Sequence, residues 1–133
     1  GKMLNIGLAI VDKRRASPGK SEVMNVIGDV SNKTCIIVDD IIDSGGTIVN
    51  AAKILKEKGA KDVHVYVSHG VLSGNAVEKI KKSKIKNLVI TDTIDNSKKI
   101  KKVKNIEILS ISNLVGEAIK RISNSTSVSD LFN

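Results

Sequence analysis

The sequence predicts one α/β domain, a doubly wound, mainly parallel five-stranded sheet flanked by helices. Three observations carry that reading. Apolar runs of strand length alternate with stretches of helical periodicity, an order that demands right-handed crossovers. The runs end in polar residues, Asp39-Asp40, Ser68-His69 and Thr91-Asp92, and open α/β sheets bind ligands beyond such carboxyl ends. The strongest run, Ile36-Ile37-Val38, leads through three carboxylates into Ser44-Gly45-Gly46-Thr47 and then a helical pattern.

Taken in order, Lys2-Met3-Leu4-Asn5 looks like the tail of a helix without its beginning, so the chain is expected to start inside a larger protein. Gly7 to Val11 is an apolar run and the first expected strand. Asp12 to Lys20 is a basic loop holding the only proline, Pro18, and Ser21 to Val26 is short and mixed. Thr34 to Val38 is the central strand, uninterrupted in its apolar pattern as buried parallel strands are. Thr47 to Lys58 has helical spacing, with Ile48, Ala51, Ala52 and Leu55 on one face and Gly59 as the stop. Val63 to Val67 is a strand; Asn75 to Lys82 is a helix with Ala76, Val77 and Ile80 inward. Leu88 to Ile90 and Ile106 to Ile111 are the remaining strands. Ser112 is placed to cap a helix over Asn113 to Ile122, with Leu114, Val115, Ala118, Ile119 and Ile122 toward the sheet and Glu117 and Arg121 paired outside. A polar tail from Ser123 ends in Leu131-Phe132-Asn133.

Composition narrows the function. The 133 residues suffice for one core, and 41% are hydrophobic without a membrane-length run. The N-terminus lacks the order of a signal peptide, and Cys35, the single cysteine, lies inside an apolar run; both point to a reduced, cytoplasmic setting and a buried, inert thiol. The net charge of +8 invites a nucleic-acid reading. With one Tyr, one Phe and no Trp there is almost nothing for bases to stack on, so the lysines of 79–86 and 98–104 read as solvated faces, with neither nucleic acid nor membrane as partner.

The segment Asp43 to Thr47 offers successive backbone N–H groups, two glycines for close approach and two hydroxyls at a helix N-terminus, a setting suited to a phosphate. No lysine follows the glycines, so it is not a P-loop, and the glycine spacing is not that of a dinucleotide fingerprint. The neighbouring acids suit hydroxyls or a metal, so a ligand with a phosphate and a diol satisfies the whole loop.

Val38 to Thr47 resembles the phosphoribosyl-pyrophosphate (PRPP) loop of type I phosphoribosyltransferases. Val11 to Arg15, Glu22 to Met24, Gly28 to Val30, Ser68 to Gly74, Glu117 to Ile122 and Ser127 to Phe132 extend the resemblance to the ribose-phosphate pyrophosphokinase (PRPP synthetase) family along essentially the whole chain. That resemblance implies transfer of the β,γ-diphosphoryl group of ATP to the 1-hydroxyl of ribose 5-phosphate, giving PRPP and AMP, with Mg²⁺ as cofactor. It implies that residues 1–133 form a single C-terminal domain, the ribose 5-phosphate half, with an ATP-site domain absent and no activity in isolation. It implies a homo-oligomer, a hexamer of full-length subunits, with ADP and phosphate as effectors.

Position by position, the resemblance gives Asp39 and Asp40 the ribose hydroxyls. It gives Asp43, Ser44, Gly45, Gly46 and Thr47 the 5-phosphate, with Ser44 where members often carry Thr. Lys13 and Arg15 fall on a flexible catalytic loop over the ATP phosphates, and Ser127, Ser129 and Phe132 on an allosteric tail. No metal ligand is assigned within the chain. His69 is expected to be structural, and His64 has no role. The alternatives are a phosphoribosyltransferase that consumes PRPP, for which no base-binding hood is evident, and a non-catalytic regulatory subunit, against which Lys13 and Arg15 speak.

Overall fold

The computed structural model describes residues 6–14 and 23–132, and of Lys13, Arg14, Val23 and Met24 the backbone alone. Its elements run β1 (Ile10–Arg14), β2 (Val23–Ile27), β3 (Thr34–Ile42), α1 (Gly46–Glu57), β4 (Asp62–Gly70), α2 (Ala76–Lys81), β5 (Asn87–Thr91), α3 (Ser97–Ile100), β6 (Ile106–Leu109) and α4 (Ser112–Ser123), with a closing 3₁₀ turn at Ser129–Phe132.

The sheet is parallel and has four strands among the described residues, in the order β3-β4-β5-β6. The fifth strand expected at Gly7 to Val11 is displaced to Ile10–Arg14 and pairs elsewhere: β1 and β2 form a separate antiparallel ribbon, Ile10 opposite Ile27 and Arg14 opposite Val23. The described part of the mixed segment, from Val23, thus becomes a strand because its backbone finds a partner, not because its side chains alternate cleanly.

Sequential strand order with right-handed crossovers puts α1, α2 and α3 on one face. The side chains agree. Val63, Val65 and Val67 of β4, and Leu88 and Ile90 of β5, are buried in one cluster with Ile48, Ala52 and Leu55 of α1, Ala76 and Ile80 of α2, and Ile100 of α3. The alternate residues Ile36, Val38, Tyr66 and Leu109 face the other way and are exposed, Val38 to 77%. That is the face where double winding would place further helices.

α1 buries Ile48, Ala51, Ala52 and Leu55, the four expected residues. α4 does not follow expectation: it buries none, and Ile119 and Ile122 are 62% and 67% exposed. Its start differs too. Ile111, not Ser112, is the residue before the first helical turn, and no side chain of its own caps it. β3 runs four residues past Val38, because pairing with β4 continues from Asp39 opposite Val67 to Ile42 opposite Gly70. No helix among the described residues is long and apolar enough to cross a membrane.

Candidate functional site

β3 delivers the chain to Ile42, 2% exposed, at the carboxyl edge of the sheet. There a second loop backs the first. The Val71 and Leu72 N–H groups both donate to the Ile42 carbonyl, at 2.9 and 3.2 Å, and the Ser73 N–H donates to the Asp43 carbonyl at 3.2 Å. The chain then turns through Gly45 at φ +75°. A Cβ there would meet Ile80 and Ala76 only at ordinary contact, 3.7–3.8 Å, so the left-handed backbone, not a lack of space, selects glycine.

α1 starts at Gly46, with the Val49 N–H donating to the Gly45 carbonyl at 3.0 Å. Among the described residues no side chain caps this N-terminus, and no acid occupies its first turn. The orphan N–H groups of a helix start are therefore left for something else. In front of them lies a concavity of about 230 Å³ lined by Asp39, Asp43 and the Ser44–Thr47 turn. Of the seven residues named from the sequence for the sugar phosphate, Asp39, Asp43, Ser44, Gly45, Gly46 and Thr47 line this one concavity and Asp40 does not.

Asp39 and Asp40 divide. Both are exposed, but neighbouring residues on a strand point to opposite faces. Asp39 lines the cradle and also a smaller concavity of about 150 Å³ with Ser68 and Thr91; Asp40 lines neither. The Asp40 N–H donates to Asp39 Oδ1 at 3.0 Å, which steadies the Asp39 carboxylate. Among the described residues no three His, Cys, Asp or Glu side chains converge as a metal cage. Single carboxylates such as Asp39 still match the hard oxygen ligands that Mg²⁺ takes one or two at a time alongside substrate phosphates and water.

Farther along the same edge, Thr91 and Thr93 hydroxyls both donate to the Ser68 carbonyl, at 2.6 and 3.2 Å. His69 Nδ1 lies 3.0 Å from Thr93 Oγ1, which ties the histidine ring to this hydroxyl cluster. Asp92 accepts from the Ile111 N–H at 3.0 Å and from the Ser110 hydroxyl. These two bonds, the backbone one first, hold its carboxyl below the usual carboxylate range. Cys35 is half-buried where full burial was expected; it packs against the core, and burial pushes its thiol up.

The other predicted residues lie apart from the cradle sequence. Lys13 is in β1 opposite Met24, in a strand and not in the loop expected for it. Arg15 lies outside the described residues. In the tail, Arg121 donates to Glu117 Oε1 at 3.0 Å and to the Ser127 carbonyl at 2.8 Å. Ser127 Oγ is 2.8 Å from Ser129 Oγ and donates to Asp130 at 3.1 Å, so these serine hydroxyls fold the tail on itself. Phe132 is exposed. One residue was not anticipated: Lys79 of α2 reaches the cradle, its Nζ 3.3 Å from the Ser44 carbonyl. Helical periodicity marked it only as one of several lysines on a polar face, and nothing local distinguishes it.

Residues 9–133 match the family model described as the phosphoribosyl synthetase-associated domain. A ribose-phosphate pyrophosphokinase of Brucella melitensis is 59% identical over 98% of this chain and 42% of its own length. One from Hyphomonas neptunium is 62% identical over 94% of this chain and 40% of its own. A crystal structure of phosphoribosylpyrophosphate synthetase from Mycobacterium smegmatis superposes with a TM-score of 0.73 at 37% identity, covering 77% of this chain and 34% of that one. The chain thus spans about two fifths of the curated relatives it matches. On the match of its residues 9–133, this chain belongs to the phosphoribosyl synthetase-associated domain family.

Proposed function

We propose that this chain is the ribose 5-phosphate binding, C-terminal part of a cytoplasmic ribose-phosphate diphosphokinase. The observation that carries the reading is the uncapped start of α1 facing a concavity edged by Asp39 and Asp43. A phosphate fits the helix start and its dipole, and a sugar hydroxyl fits the Asp39 carboxylate that edges the same concavity. The names carried by relatives at 59% and 62% identity support the same substrate.

In the proposed reaction the 1-hydroxyl oxygen of ribose 5-phosphate attacks the β-phosphorus of ATP in line. A new oxygen–β-phosphorus bond forms, the bond from the β-phosphorus to the α,β-bridging oxygen breaks, AMP departs with that oxygen, and the hydroxyl proton passes to solvent. The cradle residues Asp43 to Thr47 hold the 5-phosphate, and Asp39 orients the ring. Asp40, on the other face of β3, serves the hydroxyls only if the sugar reaches across the strand edge. Lys13 and Arg15 are proposed to offset charge on the moving diphosphoryl group, a role that rests on the resemblance alone. Mg²⁺, when bound with the nucleotide, supplies further neutralisation of the phosphates. Ser127, Ser129 and Phe132 are proposed to meet phosphate or ADP at contacts within a homohexamer.

Phosphorus NMR on the full-length polypeptide with ATP, Mg²⁺ and ribose 5-phosphate tests this, with the 133-residue chain as control. AMP and PRPP forming only with the longer protein is the expected result. Binding of PRPP without turnover in either would shift the assignment to a phosphoribosyltransferase or a regulatory subunit.

A further inference from the structure

The cradle has a charge problem. Among the described residues its side chains contribute two carboxylates, Asp39 and Asp43, and no cation, although the proposed guest is an anion. The helix start offsets part of this, and a nearby positive charge would offset more. α2 supplies one. Its Ala76 and Ile80 pack beneath Gly45, and one residue before Ile80, Lys79 places Nζ 3.3 Å from the Ser44 carbonyl. Lys79 pairs with no carboxylate among the described residues, whereas its neighbour Lys81 lies 3.8 Å from Glu78.

The Ser44–Gly45 peptide is trans, so its C=O and N–H point in opposite directions. Lys79 is not among the residues that line the concavity, so the carbonyl it holds is drawn toward a group outside that lining. If that peptide flipped, the cradle would present a carbonyl oxygen to a phosphate, and the left-handed turn at Gly45 would be lost. We propose that Lys79 is a positioning residue of the anion cradle: it pins the Ser44 carbonyl outward, aims the Gly45 N–H at the bound phosphate, and adds a positive charge one peptide away. The inference rests on the sugar-phosphate reading of this site, but the peptide orientation it asserts does not.

The test is calorimetry of ribose 5-phosphate binding to the full-length polypeptide and three variants. Lys79→Met is expected to weaken binding about tenfold, the scale of a lost hydrogen bond to a charged group. Lys79→Arg, which keeps charge and donors, should stay within about threefold, and Lys81→Met, which removes the same charge from the same helix, should bind like the parent. Parent-like affinity for Lys79→Met overturns the proposal, as does an equal loss in Lys81→Met, which would reduce the effect to general field. If the parent binds no ribose 5-phosphate, the functional reading fails, and a ligand-free crystal structure of Lys79→Met still decides the inference. A rotated or disordered Ser44–Gly45 peptide supports it, and an unchanged carbonyl direction overturns it.

Discussion

α1 and α4 are both twelve-residue helices with an apolar stripe, yet they differ at each step that matters. α1 buries its stripe and leaves its N-terminus uncapped in front of a concavity. α4 exposes its stripe; like α1 it has no cap from its own N-cap side chain, but its Ile111 N–H donates to Asp92 and its Ser112 N–H to Ser110 Oγ, and its far end is tied by Arg121 to the Ser127 carbonyl. The stability of α1 comes from packing, which frees its polar end for a ligand. α4 has polar ties at both ends, and two of its entry N–H groups are taken by Asp92 and Ser110. Amphipathic periodicity is the same signal in both cases. What separates them is whether a partner covers the stripe and whether the protein itself occupies the helix start.

The largest expected contrast is in the core. Leu55→Ala, at a fully packed α1 position, should cost about 3 kcal/mol, while Ile119→Ala on α4 should stay within about 0.5 kcal/mol, both read from urea midpoints on one polypeptide. A comparable loss at Ile119 would mean that the α4 stripe is covered in solution, and the contrast would fail. At the helix entry, Asp43→Ala should weaken ribose 5-phosphate binding by about tenfold, because losing an acid that orders the turn outweighs removing a negative charge beside the phosphate. Unchanged affinity by calorimetry would remove Asp43 from the site.

Glycine sharpens the comparison further, since the same substitution should have opposite signs in the two helices. Gly45→Ala forces a Cβ into left-handed backbone and should destabilise by about 1 kcal/mol. Gly116, inside α4, has nothing within 4 Å of a built Cβ, so Gly116→Ala should stabilise by about 0.5–1 kcal/mol through helix propensity. Thermal melts of the pair check both signs, and two changes of the same sign would refute the assignment of one backbone state.

The cradle was legible because its signal is local: five consecutive residues carry the turn, the hydroxyls and the helix start. The α1 core residues were legible for the same reason, through their spacing. What escaped depends on chain partners distant in sequence. β3 was ended at its acids, yet ladder pairing with β4 carries the strand through Asp39 and Asp40 regardless of side-chain polarity. The β1–β2 ribbon depends on pairing across residues whose pattern is neither clean strand nor loop. α3, at four residues, is too short to show a helical period. The contact of Lys79 with Ser44 spans 35 residues, and no spacing rule distinguishes one surface lysine from the next.

The smallest expected effect comes from acid, and it should fall on α4. The Asp92 carboxyl is held below its ordinary value by the Ile111 N–H and then the Ser110 hydroxyl. In the unfolded chain it titrates near about 3.9. A group whose folded value is depressed contributes stability that is present above the unfolded value and lost as pH falls through the folded one. Acidification below about pH 4 should therefore loosen the start of α4, while α1, with no acid in its first turn, has no such dependence at its own entry. Asp29, Asp62 and Asp95 are depressed as well, so the parent's melting temperature will fall in acid for several reasons. The informative quantity is the difference between the parent and Asp92→Asn. That variant should be slightly less stable at pH 7, because a neutral amide oxygen accepts more weakly than a carboxylate. Its melting curve should fall less steeply between pH 5 and the acid limit, so that the two proteins converge. Hydrogen exchange at pH 7 should place the variant's added opening in the first turn of α4, leaving α1 untouched. Parallel pH curves, or opening spread evenly over both helices, would mean that Asp92 does not serve the entry of α4 and that the difference between the two helix starts has another origin.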